Sequence, residues 1–369
     1  MKNRLHRLFS QSASFGLAVT LSASSAALEA KDTVSPAVGF LRFDCLSGSN
    51  TYRSIPFQRP ARWTGRLGAA PADQGNGTVR LTPGGTPAFT VGELIAKPHL
   101  LFCRDASGPN GRHFAITAHS ANTIDLAASP ADLAGLGIGG LISVVPAWTL
   151  ATLFPPASQT TFHSSTGPLA PQRGSELLFF NNGSTGIDLA PSRRFFVTTT
   201  GWFEAGAYPA ADNIVILPGQ AFAVRHRATA AATIFAPLDE VSGEALSLTL
   251  PVADGSQQDT MVAPPRPTPI TLDQLDLAGT AFEESASTAA VDRKDQLLVF
   301  DASIPSINRE PSAAYFRSGG QWLRDTTGFP ASGSVAIEPS SGLLIRTAAG
   351  ATASVPRWRN APVYDLTIP

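Results

Sequence analysis

The sequence predicts an all-β protein: two homologous antiparallel β-sandwich or barrel-like repeats, the first interrupted by a small inserted β-barrel domain. Three observations carry that prediction. Short runs of β-branched and aromatic residues alternate with Gly, Pro and Asn, while helix-period patterning is almost absent. Gly (32) and Pro (30) are abundant enough to imply many turns and few long helices. The chain also aligns with itself over a long stretch.

The self-alignment fixes the element order. At an offset of 120, Phe162 meets Phe282, Arg173 meets Arg293, and Leu177, Leu178 and Phe180 meet Leu297, Leu298 and Phe300. Phe196 then meets Phe316 and Trp202 meets Trp322. After one added residue, Pro209-Ala210 meets Pro330-Ala331, Ile216 meets Ile337 and Arg225 meets Arg346. Upstream, Thr149-Leu150 meets Thr271-Leu272 at an offset of 122, whereas Gly48-Ser49 and Arg59-Pro60 meet Gly255-Ser256 and Arg266-Pro267 at 207. The jump between these offsets leaves about 85 extra residues in the first copy. The expected division is a signal peptide at 1–30, a first repeat at 36–61 plus 147–236, an inserted small barrel at 62–146, and a second repeat at 245–369.

Each segment supports this division. Basic Lys2, Arg4, His6 and Arg7, an apolar Phe15 to Leu21 and a small-residue exit from Ser22 to Ala30 have the layout of a secretory signal. That apolar stretch is far short of the ~20 residues needed to span a bilayer. In the insert, Val79 to Leu81 and Leu100 to Cys103 read as strands. His113 to His119 with Thr123 to Leu126 reads as a hairpin. Pro130 to Leu136 reads as a helical turn or two behind a Ser129 cap, and Leu141 to Val145 as a closing strand. In the first repeat the expected strands are Leu177–Phe180, Arg194–Thr198, Gly201–Glu204, Ile214–Leu217 and Gln220–Arg225, with counterparts in the second. Asp239 to Glu244 and Ser285 to Ala290 have the composition of linkers. Cys45 and Cys103 would meet an oxidising compartment, where a bridge between them is worth ~4 kcal/mol in the chain-entropy model. Burial as two small free hydrophobes is the other reading.

Several phrases resemble an uncharacterised secreted-protein family of verrucomicrobial-type bacteria. They are Val38-Gly39-Phe40, Ser54 to Phe57, Ile116 to Ala118, Trp148 to Leu150 with Leu153 to Pro155, Leu177 to Phe180, and Pro264 to Pro267. The resemblance covers nearly all the chain after the signal. It implies secretion and brings no catalytic residue. Where Phe196 and Val197 stand, the family pattern is more aromatic.

The search for chemistry is mostly negative. With 43% apolar residues, 15% charged residues and a formal charge of −1, the chain has material for a core and no basic field for nucleic acid. Gly-x-Ser-x-Gly, His-Glu-x-x-His and Cys-x-x-Cys motifs are absent. Gly135, Gly137 and Gly140 satisfy G-x-G-x-x-G but lie after a helical turn and before a strand, the reverse of a dinucleotide loop. His113 and His119 would share one strand face, and His99 is the only further histidine nearby; a hydrolase here would need an acidic or nucleophilic neighbour. The doublets Asp239-Glu240 and Glu283-Glu284 put their side chains on opposite faces, which no glycosidase pair can use.

Aromatics give the candidate binding residues, Trp202 and Trp322. Kept together with their apolar frame, they read first as core anchors. Exposed on a flat face, they would be platforms for sugar rings. The expected protein is therefore exported (periplasm, cell surface or extracellular space) and non-enzymatic, an envelope or matrix component acting by binding or assembly. A carbohydrate-binding protein with aromatic platforms is the alternative. No catalytic residue, metal or cofactor is assigned. The expected partner is an envelope or extracellular component, a glycan among the candidates, with no nucleic acid and no transmembrane anchor.

Overall fold

A computed structural model describes residues 36–105, 108–277, 282–350 and 356–366. The expected signal peptide lies outside the described residues. No helix among them is long and apolar enough to cross a membrane. The fold is nearly all β, with every strand pair antiparallel.

Two five-stranded sheets dominate, and they share one strand order. The first runs Trp202–Glu204, Arg193–Val197, Ser175–Phe179, Phe222–His226, Asn50–Arg53; the second runs Gln321–Arg324, Ala313–Ser318, Gln296–Val299, Leu343–Thr347, Gln258–Val262. Registers agree as well: Leu177 faces Phe195 and Val224, as Leu297 faces Tyr315 and Ile345. Each sheet is accompanied by two short ribbons. Trp148–Thr149 pairs with Val215–Ile216, as Ile270–Thr271 pairs with Ala336–Ile337. Phe43–Cys45 pairs with Thr233–Phe235, as Leu246–Thr249 pairs with Arg357–Asn360. Even the left-handed backbone positions recur: Asp188 and Asn308 both at φ 56°, Tyr208 at 60° and Phe329 at 43°. Below, the first module means 36–61 with 147–236, and the second 245–369.

The modules grip each other reciprocally. Asn50 N donates to Ser306 O, and Asp259 N to Gly186 O; Ser54 N donates to Ser340 O, and Ala263 N to Gly219 O. Within each module the strand that makes these contacts is held alike, Arg225 reaching Asn50 and Arg346 reaching Asp259, each at 2.8 Å. Contact i-to-j matched by contact j-to-i is the signature of an isologous, two-fold interface, here realised within one chain. The strand Asn50–Arg53 is thereby offset by 209 from its counterpart, not 207. Two additional residues between Gly255 and Asp259 account for the difference, and Arg59 and Arg266 are not equivalent by register.

Between 62 and 146 a seven-stranded sheet curls into a half-barrel, ordered Trp63–Arg66, Leu141–Pro146, His99–Cys103, His113–His119, Ile124–Ala127, Thr78–Leu81, Ala72–Gly75. The chain enters and leaves it on adjacent strands, Trp63 facing Val144. Closure is partial: Gly68 N donates to Thr82 O and Gly84 N to Arg66 O, while Ala72–Gly75 stays an exposed edge. Each body has its own apolar core, about Phe154 and Trp202, Leu101 and Ile142, and Leu297 and Trp322. Cys45 is buried in the first core and Cys103 in that of the insert, both as free thiols; burial pushes them up to about 11 and about 12.

Both linker expectations are corrected. Leu238–Glu240 pairs with Val38–Phe40, and the carbonyls of Ser242 and Glu244 accept from buried Arg266. Ser285 is buried, and its N donates to Arg317 O, as Ser165 N does to Val197 O in the first module. Ser285 is closely packed and Leu238–Glu240 paired, roles that composition alone does not distinguish from flexibility.

Candidate functional site

Trp202 and Trp322 are 0% and 1% exposed. Trp202 Nε1 donates to Phe154 O at 2.9 Å, and its ring meets Phe162 edge-on at 5.0 Å. Trp322 lies 4.9 Å from Phe282. Both anchor cores and neither offers a ring face to a ligand, so the platform reading fails at these residues.

The aromatic surface of the first module is formed by Phe203 and Tyr208, which pack on buried Phe196. Phe196 and Phe203 stack at 5.9 Å, and Tyr208 meets Phe196 edge-on at 6.3 Å. With them, Ser165, Thr166, Thr198, Thr199 and Thr200 line an open cleft of about 380 Å³. That volume lies within the ~300–1,000 Å³ of small-ligand sites. No acidic or basic side chain lines it.

Local chemistry holds this arrangement in place. The Thr198 hydroxyl accepts from Thr200 N at 3.2 Å and its Oγ1 lies 3.3 Å from Gly201 O, closing the turn between Arg193–Val197 and Trp202–Glu204. Beneath the floor, the Arg173 guanidinium sits 5.2 Å from the Phe196 ring centre, ion-paired to Glu176 at 2.8 Å. Tyr208 is exposed, in the left-handed region, and followed by Pro209. A bulky residue there costs ~1–3 kcal/mol, and the position before proline is itself restricted. The hairpin fixes it regardless, because Glu204 N donates to Pro209 O and Phe203 bridges Ala210.

The corresponding place in the second module is built differently. Thr198-Thr199-Thr200 become Ser318-Gly319-Gly320, Phe203 becomes Leu323, and Tyr208 becomes Phe329. Glu284 accepts from Gly320 N and lies 4.0 Å from Arg317, whose guanidinium reaches Gly320 O at 2.9 Å. Arg293 covers Phe316 at 3.3 Å and pairs with Asp325 at 3.1 Å. Arg293 is the counterpart of Arg173 and covers Phe316 as Arg173 covers Phe196, so the surface differs in the Glu284–Arg317 pair, which stands where the first module carries hydroxyls.

The nearest approach to a nucleophile–base pair among the described residues is internal. Ser175 Oγ and His226 Nδ1 share a 2.7 Å hydrogen bond, and His226 Nε2 is 2.7 Å from Thr233 Oγ1. Ser175 is 1% and His226 0% exposed, and no carboxylate joins them. Burial, helped by His163 nearby, holds His226 down to about 4, so it is neutral and structural. The insert's histidines do not converge either. His113 packs on Phe102 at 5.7 Å, with burial taking it to about 4. His119 Nε2 accepts from Leu94 N, and His99 Nδ1 is bound to Lys97 O. Among the described residues no group of three His, Cys, Asp or Glu is placed to hold a metal ion.

Comparison of the chain with family models, with curated proteins and with solved structures finds no match.

Proposed function

We propose that the protein is an exported, non-catalytic binding component of the cell envelope or extracellular matrix, and that its ligand is an uncharged glycan held in the Tyr208 cleft. One observation carries the reading: the rings of Phe203 and Tyr208, backed by buried Phe196, and five hydroxyl side chains line a single open cleft free of charged groups. A sugar presents an apolar C–H face and a rim of hydroxyls, and that pairing of surfaces suits it. A charged ligand would find no counter-ion here. Export is supported by the layout of residues 1–30 and by the resemblance to secreted proteins.

The test is a calorimetric titration of the protein without residues 1–30 against neutral cell-wall and plant oligosaccharides, repeated with Tyr208→Ala. Removing a stacking aromatic weakens binding roughly ten- to hundredfold. Failure of every neutral oligosaccharide to bind, or unchanged binding by Tyr208→Ala, would sink the proposal.

A further inference from the structure

A second cavity, of about 50 Å³, lies where the three bodies meet. Its walls include Leu100 and Phe102 of the half-barrel, Ala147, Trp148 and Ile216 of the first module, and Leu246 of the second. The insert completes it: its Leu100, Phe102 and Val145 form one apolar cluster with Ala147 and Leu246. The space admits roughly three to five water-sized groups, yet most of the lining is apolar, a poor home for water.

Three guanidinium groups line the same space: Arg59, Arg104 and Arg266. Arg266 is saturated, donating to Asn360 and to the carbonyls of Ser242 and Glu244. Arg104 donates to Ser143 Oγ at 3.3 Å and Gln58 Oε1 at 3.2 Å, and its Nη1 has no hydrogen-bond partner among the described residues. Arg59 rests over the Trp148 ring at 5.4 Å and makes no hydrogen bond among the described residues. None of the three forms an ion pair among the described residues, whereas ten other arginines do. The rim carries one carboxylate, Glu244, whose side chain is exposed; Glu240 lies further back and also acts on Arg104. An apolar chamber with unpaired guanidinium donors at its edge is complementary to one kind of molecule, a short apolar body ending in an anion.

We propose that the junction cavity binds a small amphipathic carboxylate with a tail of roughly three to five carbons, its apolar body inside and its carboxylate on Arg59 and Arg104. The site is separate from the Tyr208 cleft and draws on residues from all three bodies. Its occupant would therefore tie the half-barrel to both modules, and binding would raise the unfolding temperature.

The experiment titrates butanoate and hexanoate, and the matching neutral amides, into the protein without residues 1–30, reading heat and thermal unfolding. The acids bind at millimolar concentration or below, and the amides bind roughly tenfold more weakly or not at all, because a charge-assisted hydrogen bond is lost. Arg59→Gln and Arg104→Gln each give a similar loss, Ala147→Leu fills the space and abolishes binding, and Tyr208→Ala leaves it unchanged. Should Ala147→Leu fail to fold, Ala245→Leu at the rim tests the same point. Equal binding of acid and amide, indifference to both arginine substitutions, or no binding by either acid would each overturn the proposal.

Discussion

The two modules are alike in frame and unlike in surface. Trp202 and Trp322, Phe162 and Phe282, and the left-handed aromatic residues Tyr208 and Phe329 occupy equivalent places. Above that frame the first module displays threonines around an open cleft, and the second carries the Glu284–Arg317 pair. The difference teaches that residues shared by the copies maintain the core, while the proposed binding surface draws on positions where the copies part.

The same division appears inside. Where the first module links Ser175, His226 and Thr233, the second uses Asp295, which accepts from Glu283 N and Ala348 N at 2.7 Å each. Both arrangements tie the start of a central strand to neighbouring loops. One is neutral and the other acidic, so the modules respond to pH with opposite sign.

The largest effect that would test the likeness is loss of a core tryptophan. Trp202→Ala and Trp322→Ala should each cost ~3–5 kcal/mol in chemical denaturation. A silent substitution at either place would break the equivalence of the two cores.

The pH response sharpens the contrast at a somewhat smaller scale, up to roughly 3 kcal/mol per group. His226 falls from its ordinary 6.5 to about 4 through burial, so its contribution is present above 6.5 and is lost as pH falls toward 4. Burial raises Asp295 from 3.8 to about 6 against the pull of its two N–H donors. Its contribution is present below 3.8 and is lost as pH rises through 6. His113 adds the sign of His226. Removing His226 with His226→Gln should tilt the pH 4–6 stability profile toward acid, and Asp295→Asn should tilt it the other way. Parallel shifts in the two variants would contradict the assignment.

The smallest effect concerns the surface pair. Glu284→Ala should cost about 1 kcal/mol or less, because Arg317 is 4.0 Å away and the exposed Gly320 N that the carboxylate accepts from can turn to water. A loss above about twice that would make the pair part of the frame and no longer mere cover.

Much of the architecture was legible in the sequence. Ser175–Phe179, Arg193–Val197 and Phe222–His226 lie within two residues of their expected bounds, because β-branched and aromatic runs between glycines and prolines have few other uses. The hairpin His113–His119 with Ile124–Ala127 was legible for the same reason. The candidate site was not. Self-comparison rewards identity, so it drew attention to Trp202 and Trp322, where conserved volume fills a core. Tyr208 faces Phe329 in the alignment and Thr199 faces Gly319, mismatches that carry no weight in such a search. A signal was available in retrospect: Thr198-Thr199-Thr200 is a run of hydroxyls beside an aromatic-rich strand, with Tyr208-Pro209 shortly after. The reciprocal grip of the modules was equally hidden, since it depends on which loops the two-fold arrangement brings onto Asn50–Arg53 and Gln258–Val262.

One paired titration bears most directly on the claim that the first cleft alone binds glycan. A neutral oligosaccharide that binds the protein without residues 1–30 is measured against Tyr208→Ala and, in parallel, Phe329→Ala. Affinity should fall roughly tenfold or more in the first variant and stay unchanged in the second. Equal losses in both, or a loss confined to Phe329→Ala, would contradict the assignment of function to the first module.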